Sequence, residues 1–329
     1  MTDGELAGER PPATWPRPAN PAIAEVAADA AGPTSAADAG GTALAEGGRI
    51  AVAGGEQVHV VESGPPDAPT LLLSTGLGGA WFDWEPVIAL LGDRYRVLAF
   101  DRPGLGLSPA ARRPASLRRD VAVLADLART SGAPVTVVAH SMAGFHAEGL
   151  ARLYPDLVRA LVLVDPSCEE RVNCAGLRIS AAVHPVLRAT GAGLEATRLS
   201  RVIGPFGRRM TLKQVTERGE PVPPEVVRSV YGRGAVLGTV LAEDVAYREA
   251  AADLLALRER RPLPDVPLEV LTALADAGDA LEWSSCHRRL AGMSPLGNQV
   301  DLPDCPHMVQ FDRPDAVADA VDRAHGIAP

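Results

Sequence analysis

Residues 135–144, which read Val-Thr-Val-Val-Ala-His-Ser-Met-Ala-Gly, decide the fold that this sequence predicts. The apolar, β-branched start of the stretch is typical of a buried strand in a parallel sheet. The apolar run stops at residues 140–142, and residues 145–154 then carry apolar side chains at helical spacing. The stretch therefore predicts a strand, a sharp turn with Ser141 at its tip, and a helix.

A serine in this setting is typical of a nucleophile elbow, where a strained turn exposes the hydroxyl beside a helix N terminus. The usual pattern is G-x-S-x-G, and both glycines are alanines here, Ala139 and Ala143. Alanine is the next smallest residue, so the strand and the helix can still pack closely. The simpler alternative is a serine that only caps the helix. We take Ser141 as a candidate nucleophile and the Met142 N–H as a candidate oxyanion donor.

The composition limits the classes of function. The chain has 329 residues, of which 47% are hydrophobic and 22% charged, and its net charge is −9. This length suits one α/β domain with an insertion, or two domains. The acidic balance argues against general nucleic-acid binding. Because residues 1–21 lack the apolar core of a secretory signal and no apolar run is long enough to span a membrane, we expect a cytoplasmic protein without a membrane partner.

The cysteines show no pattern of a metal or redox site. Cys168, Cys174, Cys286 and Cys305 form neither a C-x-x-C pair nor a zinc-binding spacing. Because disulfides are rare in cytosolic proteins, we expect free thiols.

The chain alternates between strands and helices in two blocks, residues 47–165 and 265–329. This alternation predicts a mainly parallel, eight-stranded sheet with helices on both faces. Residues 1–46 are rich in Ala, Gly, Pro and acidic residues, and such a composition predicts a disordered tail.

The segment between the blocks, residues 166–264, is helical in tendency and contains no convincing strand. Pro185, Pro205 and the cluster at 221–224 are expected to break it into separate helices. We interpret it as a helical cap inserted over the carboxyl edge of the sheet, where ligands bind in open α/β sheets.

Residues from about 48 to the end resemble the α/β-hydrolase fold. The matching pieces occur in that family's order. They are the loop Thr-Gly-Leu-Gly-Gly at 75–79, the loop Asp-Arg-Pro-Gly-Leu-Gly-Leu-Ser at 101–108, the elbow, a cap, and the late His307. Their joint order and spacing carry the resemblance. Thr75 stands where the family usually has histidine.

The resemblance implies roles for several residues. His307 would be the general base, and the Leu77 N–H would join the Met142 N–H in binding an oxyanion. Gly76 and Trp81 are expected to line the substrate pocket, although the spacing of Trp81 and Trp84 suits a core position equally well. The loop at 101–108 is expected to be structural, with glycine supplying a positive φ or a close approach.

The acid of the implied Ser-His-Asp triad stays open between two residues. Asp165 ends the sixth strand, and Asp276 completes Ala-Leu-Ala-Asp in the loop after the seventh. Both positions serve as the acid in branches of the family. We weigh them nearly equally, with a slight preference for Asp165, because the region after Ala273 lacks the usual flanking pattern.

The resemblance implies a serine hydrolase that cleaves a carboxylic ester or related acyl bond of a small, mostly apolar substrate, without metal or organic cofactor. A serine nucleophile argues against an epoxide hydrolase or a haloalkane dehalogenase, whose relatives use aspartate there. A carbon–carbon bond hydrolase, a lactonase, a lyase or acyltransferase, and a non-catalytic ligand-binding protein of the same fold remain alternatives. The sequence predicts no oligomeric state.

Overall fold

The computed structural model describes residues 48–172 and 178–327. The predicted tail, residues 1–46, lies outside the described residues, and so does Cys174.

Eight strands form one sheet in the order β1-β2-β4-β3-β5-β6-β7-β8. Strand β2 is antiparallel to both of its neighbours, and the remaining pairs are parallel. The predicted mainly parallel, eight-stranded sheet is confirmed. The strands are β1 (Gly48–Ala53), β2 (Glu56–Ser63), β3 (Thr70–Ser74), β4 (Arg96–Phe100), β5 (Val135–His140), β6 (Val158–Val164), β7 (Leu268–Ala273) and β8 (Gly297–Leu302).

The centre of the sheet is buried on both faces. Every residue of β3, β5 and β7 is buried. Leu71 and Leu73 pack into the apolar core on one face, and Leu72, between them, packs into the core on the other. Helices therefore cover both faces, which is why these strands read as continuous apolar runs.

Ten helices follow or connect the strands in the described residues. None of these helices is both long and apolar enough to cross a membrane. The helices are α1 (Glu85–Leu91), α2 (Leu117–Thr130), α3 (Ala143–Leu153), α4 (Ser180–Ala196), α5 (Ser200–Val215), α6 (Pro224–Tyr231), α7 (Gly234–Arg258), α8 (Ala280–Ala291), α9 (Val309–Asp312) and α10 (Pro314–Ala324), with short 3-10 turns at Trp81–Trp84 and Pro155–Leu157.

Helices α4 to α7 lie between β6 and β7, and we call them the helical insert. They contact loops at the carboxyl ends of strands: the Tyr231 hydroxyl donates to the Gly78 carbonyl at 2.9 Å. The expectation that Pro185 and Pro205 break the helices is wrong, because they lie inside α4 and α5. Each proline lies little more than one turn past the start of its helix, so its missing N–H removes one hydrogen bond and the helix continues.

The expectation of free thiols is wrong for two cysteines. Cys168, just after β6, and Cys286, on α8, form a disulfide with their Cα atoms 6.2 Å apart. The two residues are 118 positions apart in sequence, and they meet where α8 packs beside the paired strands β6 and β7. Cys305 is a free, buried thiol whose pKa is raised to about 12, chiefly by burial. The cytoplasmic location stays a prediction, without the support that free thiols would have given it.

Candidate active site

Ser141 lies in the sharp turn between β5 and α3 that the sequence predicts. Its φ of 54° is in the left-handed region, which costs a non-glycine residue on the order of 1 kcal/mol or more. The surrounding backbone holds this conformation. The Ser141 N–H donates to the Val164 carbonyl at 3.0 Å, and the Ser141 carbonyl accepts from the N–H groups of Gly144 (2.9 Å) and Ser167 (3.1 Å).

Alanine fits at both positions where the elbow pattern usually has glycine. Ala139 and Ala143 are fully buried. The closest approach between the helix and its neighbour falls one residue later, since a Cβ added at Gly144 would lie 2.8 Å from the Pro166 Cβ. The position that requires glycine in this elbow is therefore Gly144.

His307 lies between Ser141 and Asp165. Its Nε2 is 3.1 Å from the Ser141 Oγ, and its Nδ1 is 2.6 Å from the Asp165 Oδ2. A carboxylate can only accept, so Nδ1 carries the hydrogen and the Nε2 lone pair faces the serine hydroxyl. The three side chains come from turns at the carboxyl ends of β5, β6 and β8. This is the arrangement of a nucleophile, its base and an orienting acid.

Asp165 is buried and held by several donors. Its other carboxylate oxygen accepts from the Ala273 N–H and from the Trp283 indole N–H, each at 2.9 Å. Its φ of 40° is again in the left-handed region. These bonds fix the direction from which the carboxylate meets the imidazole.

Asp276, the other sequence candidate, does not reach the imidazole. Its Oδ2 instead accepts from the backbone N–H of His307 at 3.0 Å. It therefore holds the loop that carries His307. Of the two acids that the sequence leaves open, Asp165 contacts the imidazole ring of His307 and Asp276 contacts its backbone.

His140 packs against the same imidazole. The rings of His140 and His307 have centroids 4.6 Å apart, and the His140 Nε2 lies 3.0 Å from the His307 carbonyl oxygen. Burial lowers the pKa of His140 well below its usual value. The ring is therefore neutral, and its Nε2–H donates to that carbonyl, which fixes the backbone of His307.

The loop at 75–79 is held by a buried ion pair between the core and the helical insert. The Arg102 guanidinium donates to the carbonyls of Thr75 and Gly76 and pairs with Glu243 on α7 at 2.7 Å. Glu243 also accepts from the Gly78 N–H at 3.1 Å. The peptide groups on both sides of Leu77 are therefore fixed. The Thr75 hydroxyl, at the family's usual histidine, has no hydrogen-bond partner in the described structure.

Two backbone donors near Ser141 remain unpaired. Within residues 48–172 and 178–327, neither the Leu77 N–H nor the Met142 N–H donates to another protein atom. Leu77 lies in the turn that the hydrogen bond from the Gly79 N–H to the Gly76 carbonyl closes at 3.1 Å. Met142 lies at the N terminus of α3, where the helix dipole is positive. The two groups are the pair that the resemblance assigns to an oxyanion.

A cavity of about 380 Å³ contains Ser141, His307 and the loop at 76–79. This volume is at the small end of ligand-binding cavities. The helical insert supplies much of its apolar wall. These residues are Leu212, Val215, Leu237 and Val240.

Gly76 lines this cavity, whereas Trp81, the other residue expected to line the substrate pocket, does not. Trp81 is fully buried in the core and packs edge-on against Phe82. Its backbone N–H donates to the Asp101 carboxylate at 2.8 Å, which holds the residue at the start of a 3-10 turn on the sheet. The spacing of tryptophans cannot distinguish a core face from a pocket face.

Asp101 has the structural role expected of the loop at 101–108. Its buried carboxylate lies 2.9 Å from the His59 Nδ1 and 2.9 Å from the Leu107 N–H. A Cβ at Gly106 would overlap this carboxylate. The loop therefore folds around Asp101, away from the reacting groups.

The wall of the cavity also carries charged residues that the sequence does not indicate. Arg208 on α5 pairs with Asp83 at 2.7 Å and Glu220 at 2.6 Å, and donates to the Tyr231 hydroxyl at 2.6 Å. These partners lie 12 to 125 residues from Arg208 in sequence, so no local motif could have indicated the cluster. The guanidinium is therefore paired with two carboxylates.

A second, larger cleft of about 890 Å³ reaches the other side of His307. It is lined by Asp165, Asp276, Trp283 and the disulfide, and Ser141 is not among its lining residues. The smaller cavity is therefore where an acyl group could meet the serine hydroxyl.

The amino-acid sequence of this chain is similar to those of known hydrolases. Residues 71–320 match the model of a family described as the alpha/beta hydrolase family. A putative carbamate hydrolase RutD from Variovorax paradoxus is 38% identical over 113 residues, which are 33% of this chain and 42% of that protein. One from Stutzerimonas stutzeri is 39% identical over 103 residues, 30% of this chain and 38% of the relative. The matches thus span less than half the length of these curated relatives.

Solved structures share the fold at low sequence identity. A thermophilic esterase from Thermogutta terrifontis is 21% identical with a TM-score of 0.61, covering 84% of this chain and 97% of that one. An enol-lactonase from Burkholderia xenovorans is 23% identical with a TM-score of 0.58, covering 84% of this chain and 100% of that one. These similarities indicate the fold alone.

Proposed function

Because this chain belongs to the alpha/beta hydrolase family, we propose that it is a serine hydrolase that cleaves an ester or related acyl bond through Ser141, His307 and Asp165. The observation that carries the proposal is the continuous set of contacts from the serine Oγ through the imidazole to a buried carboxylate, at 3.1 and 2.6 Å. A serine that only caps a helix needs neither contact.

The reaction begins with removal of a proton from Ser141. The His307 Nε2 takes that proton as the Oγ attacks the substrate carbonyl, and Asp165 stabilises the imidazolium that forms. The imidazolium then donates the proton to the leaving group. Water, activated by the same imidazole, hydrolyses the acyl-enzyme and frees the serine.

The charge that develops on the carbonyl oxygen would be bound by the N–H groups of Leu77 and Met142. Preorganised donors of this kind are typically worth about 3 kcal/mol each in the transition state. Arg102 and Glu243 fix the loop that carries Leu77 before substrate arrives. No reorganisation is then needed during the reaction.

The cavity supports a small, neutral and mostly apolar substrate. Its volume of about 380 Å³ and its aliphatic wall suit a short acyl or alkoxy group. Arg208 is already paired with two carboxylates, so it has little charge left to attract a carboxylate-bearing substrate. Esters, lactones and, given the name of the matched relatives, carbamates form the panel to screen.

A non-catalytic ligand-binding protein of the same fold is the alternative of another class. That alternative would gain support if no carboxylate approached His307. Asp165, however, lies 2.6 Å from the His307 Nδ1. The hydrolase is therefore the better-supported proposal.

Labelling with a fluorophosphonate probe tests the proposal directly. The probe reacts with serines that an adjacent base activates. We expect stoichiometric labelling of the wild-type chain at Ser141, none in Ser141→Ala, and a loss of roughly a thousandfold or more in labelling rate in His307→Ala. Intact-protein mass spectrometry and peptide mapping would measure both the stoichiometry and the site.

A folded wild-type chain that is not labelled, or labelling that persists in Ser141→Ala, would contradict the proposal. Ser167→Ala is a suitable control, because Ser167 is near the elbow and donates only its backbone N–H to Ser141. Hydrolysis of short nitrophenyl esters should follow the same order among the variants.

A further inference from the structure

Helix α5 exposes an apolar stripe on the surface of the helical insert. Together with Leu199 just before it, the helix presents side chains that are 41 to 69% exposed. They recur at the spacing of one helical face. The stripe consists of Leu199, Val202, Ile203, Phe206 and Met210.

The stripe faces directly away from the protein. The buried positions of α5 are Ser200, Gly204, Arg208 and Leu212, which form a single row of residues four apart. At 100° per residue, Phe206 lies about half a turn around the helix from this row. Side chains of this size, adjacent and exposed, are unusual on a surface with no binding role.

The flank of the stripe is basic, although the whole chain carries a net charge of −9. Helix α5 contains four basic residues and no acidic residue. Of these, Arg208 is buried and ion-paired. Arg201, Arg209 and Lys213 are exposed. Within the described residues none of these three side chains forms an ion pair, and neither does the neighbouring Arg198.

We propose that α5 is an interaction surface for an anionic lipid bilayer, with its apolar stripe at the acyl boundary and its basic residues at the phosphates. An exposed helix with an apolar face flanked by Lys and Arg, lying in the plane of the surface, is the arrangement that binds such interfaces. Each basic residue near an anionic leaflet strengthens binding by about fivefold. This proposal departs from the expectation, drawn from the sequence, of no membrane partner.

Charge argues for a lipid surface over a second copy of this chain. A symmetric dimer through α5 would bring Arg209 and Lys213, which lie within about 60° of Phe206 around the helix, close to the same two residues of the other copy. Like charges at an interface are unfavourable. An anionic bilayer supplies the opposite charge along the whole helix.

The same helix borders the cavity that contains Ser141. Gly207 and Thr211 line that cavity and are also exposed, on the side of α5 next to the stripe. Docking would therefore hold this wall of the cavity near the bilayer. Binding to the surface does not depend on the proposed hydrolase activity and is tested without it.

The test is co-sedimentation of the full chain with vesicles. One set contains phosphatidylcholine alone, and the other contains equal parts of phosphatidylcholine and phosphatidylglycerol. We expect binding to the second set that weakens as salt is raised. The double variant Val202→Ser/Phe206→Ser should bind roughly tenfold or more weakly. Arg209→Gln/Lys213→Gln should lose binding to the anionic vesicles to a similar degree.

Leu281→Ser is the matched control. Leu281 is 83% exposed on α8, and its substitution removes exposed apolar surface without touching α5. It should bind as the wild-type chain does. Unfolding curves of all variants would verify that each is folded.

Three outcomes would overturn the proposal. The wild-type chain could fail to bind the anionic vesicles. The two α5 variants could bind as well as Leu281→Ser. Light scattering could show a wild-type oligomer that Val202→Ser/Phe206→Ser dissociates while vesicle binding is unchanged, which would make the occupant a second copy.

Discussion

Ser141 and Asp165 share a backbone conformation that few residues of their type adopt. Both have a positive φ, 54° and 40°, and they follow the neighbouring strands β5 and β6. Each residue turns the chain sharply and brings its side chain to the same imidazole. The cost, on the order of 1 to 3 kcal/mol for each, is tolerated because the surrounding hydrogen bonds determine the conformation.

The sequence predicted Ser141 and His307 more firmly than the acid. A serine between a strand and a helix is a local pattern, whereas the acid depends on which of two distant loops reaches the imidazole. Asp165 and Asp276 both contact His307, one at the ring and the other at the backbone. Sequence spacing does not distinguish these two contacts.

The first prediction separates the two acids. Asp165→Asn should lower kcat on an activated ester by roughly a thousandfold or more, because an amide stabilises the wrong tautomer of His307 and cannot stabilise the imidazolium. Asp276→Asn keeps an acceptor for the His307 N–H and should cost less than about tenfold. Steady-state kinetics of the two variants would measure the difference.

Equal losses in the two variants, or a larger loss in Asp276→Asn, would contradict the assignment of Asp165. Fluorophosphonate titration would report the concentration of competent sites, so that misfolded protein is not counted in kcat.

At the scale of elements, helix α7 connects the helical insert to the loop at 75–79. Glu243 on this helix is buried, pairs with Arg102 and accepts from the Gly78 N–H. The motif at 101–108 predicted a structural role for Arg102. Its partner lies 141 residues later in a helix with no motif, so the sequence could not indicate the pair.

The second prediction concerns this ion pair. Glu243→Gln should lower kcat about tenfold to a hundredfold with little change in KM, because the loop that carries the Leu77 N–H is no longer fixed. It should also lower the free energy of unfolding by roughly 3 kcal/mol, since Arg102 stays buried without its counter-charge. Kinetics on a short ester and urea unfolding would measure the two effects.

Asp244→Asn is the matched control, because Asp244 is the next residue on α7 and is exposed. It should change neither quantity measurably. A Glu243→Gln variant that is less stable but has full kcat per titrated site would show that the pair only stabilises the fold.

For the molecule as a whole, the sheet was predictable and the contacts of the insert were not. The central strands are apolar runs bounded by loops, and those runs indicate where strands and helices alternate along the chain. Trp81 and the cysteines depend on packing between distant elements. The same holds for the charged cluster around Arg208, whose members come from four separate segments.

The third prediction concerns stability against pH. Burial lowers the pKa of His146 to about 4, although Asp120, 3.7 Å away, favours the charged form. An unfolded histidine has a pKa of about 6.5, so the unfolded chain binds this proton first as the pH falls. Stability is then full above pH ~6.5, and His146 alone removes roughly 3 kcal/mol by about pH 4.

Burial also lowers the pKa of His140 and His287, so the whole chain should lose stability over the same range of pH. The free energy of unfolding in urea, measured from pH 8 to pH 4.5, should fall less steeply for His146→Phe than for the wild-type chain. Identical slopes would show that His146 does not contribute. Comparing slopes removes any constant effect of the substitution on core packing.

The disulfide between Cys168 and Cys286 makes the chain a covalent ring with two arms. The ring encloses the helical insert and β7, while Ser141 and Asp165 lie on one arm and His307 on the other. A protease that cuts once within the insert, for example between α5 and α6, would therefore leave one molecule with its reacting groups still tethered. On a denaturing gel, such nicked protein should migrate as a single species until a reductant separates it into two fragments. Activity that survives the cut should vanish when the reductant is added.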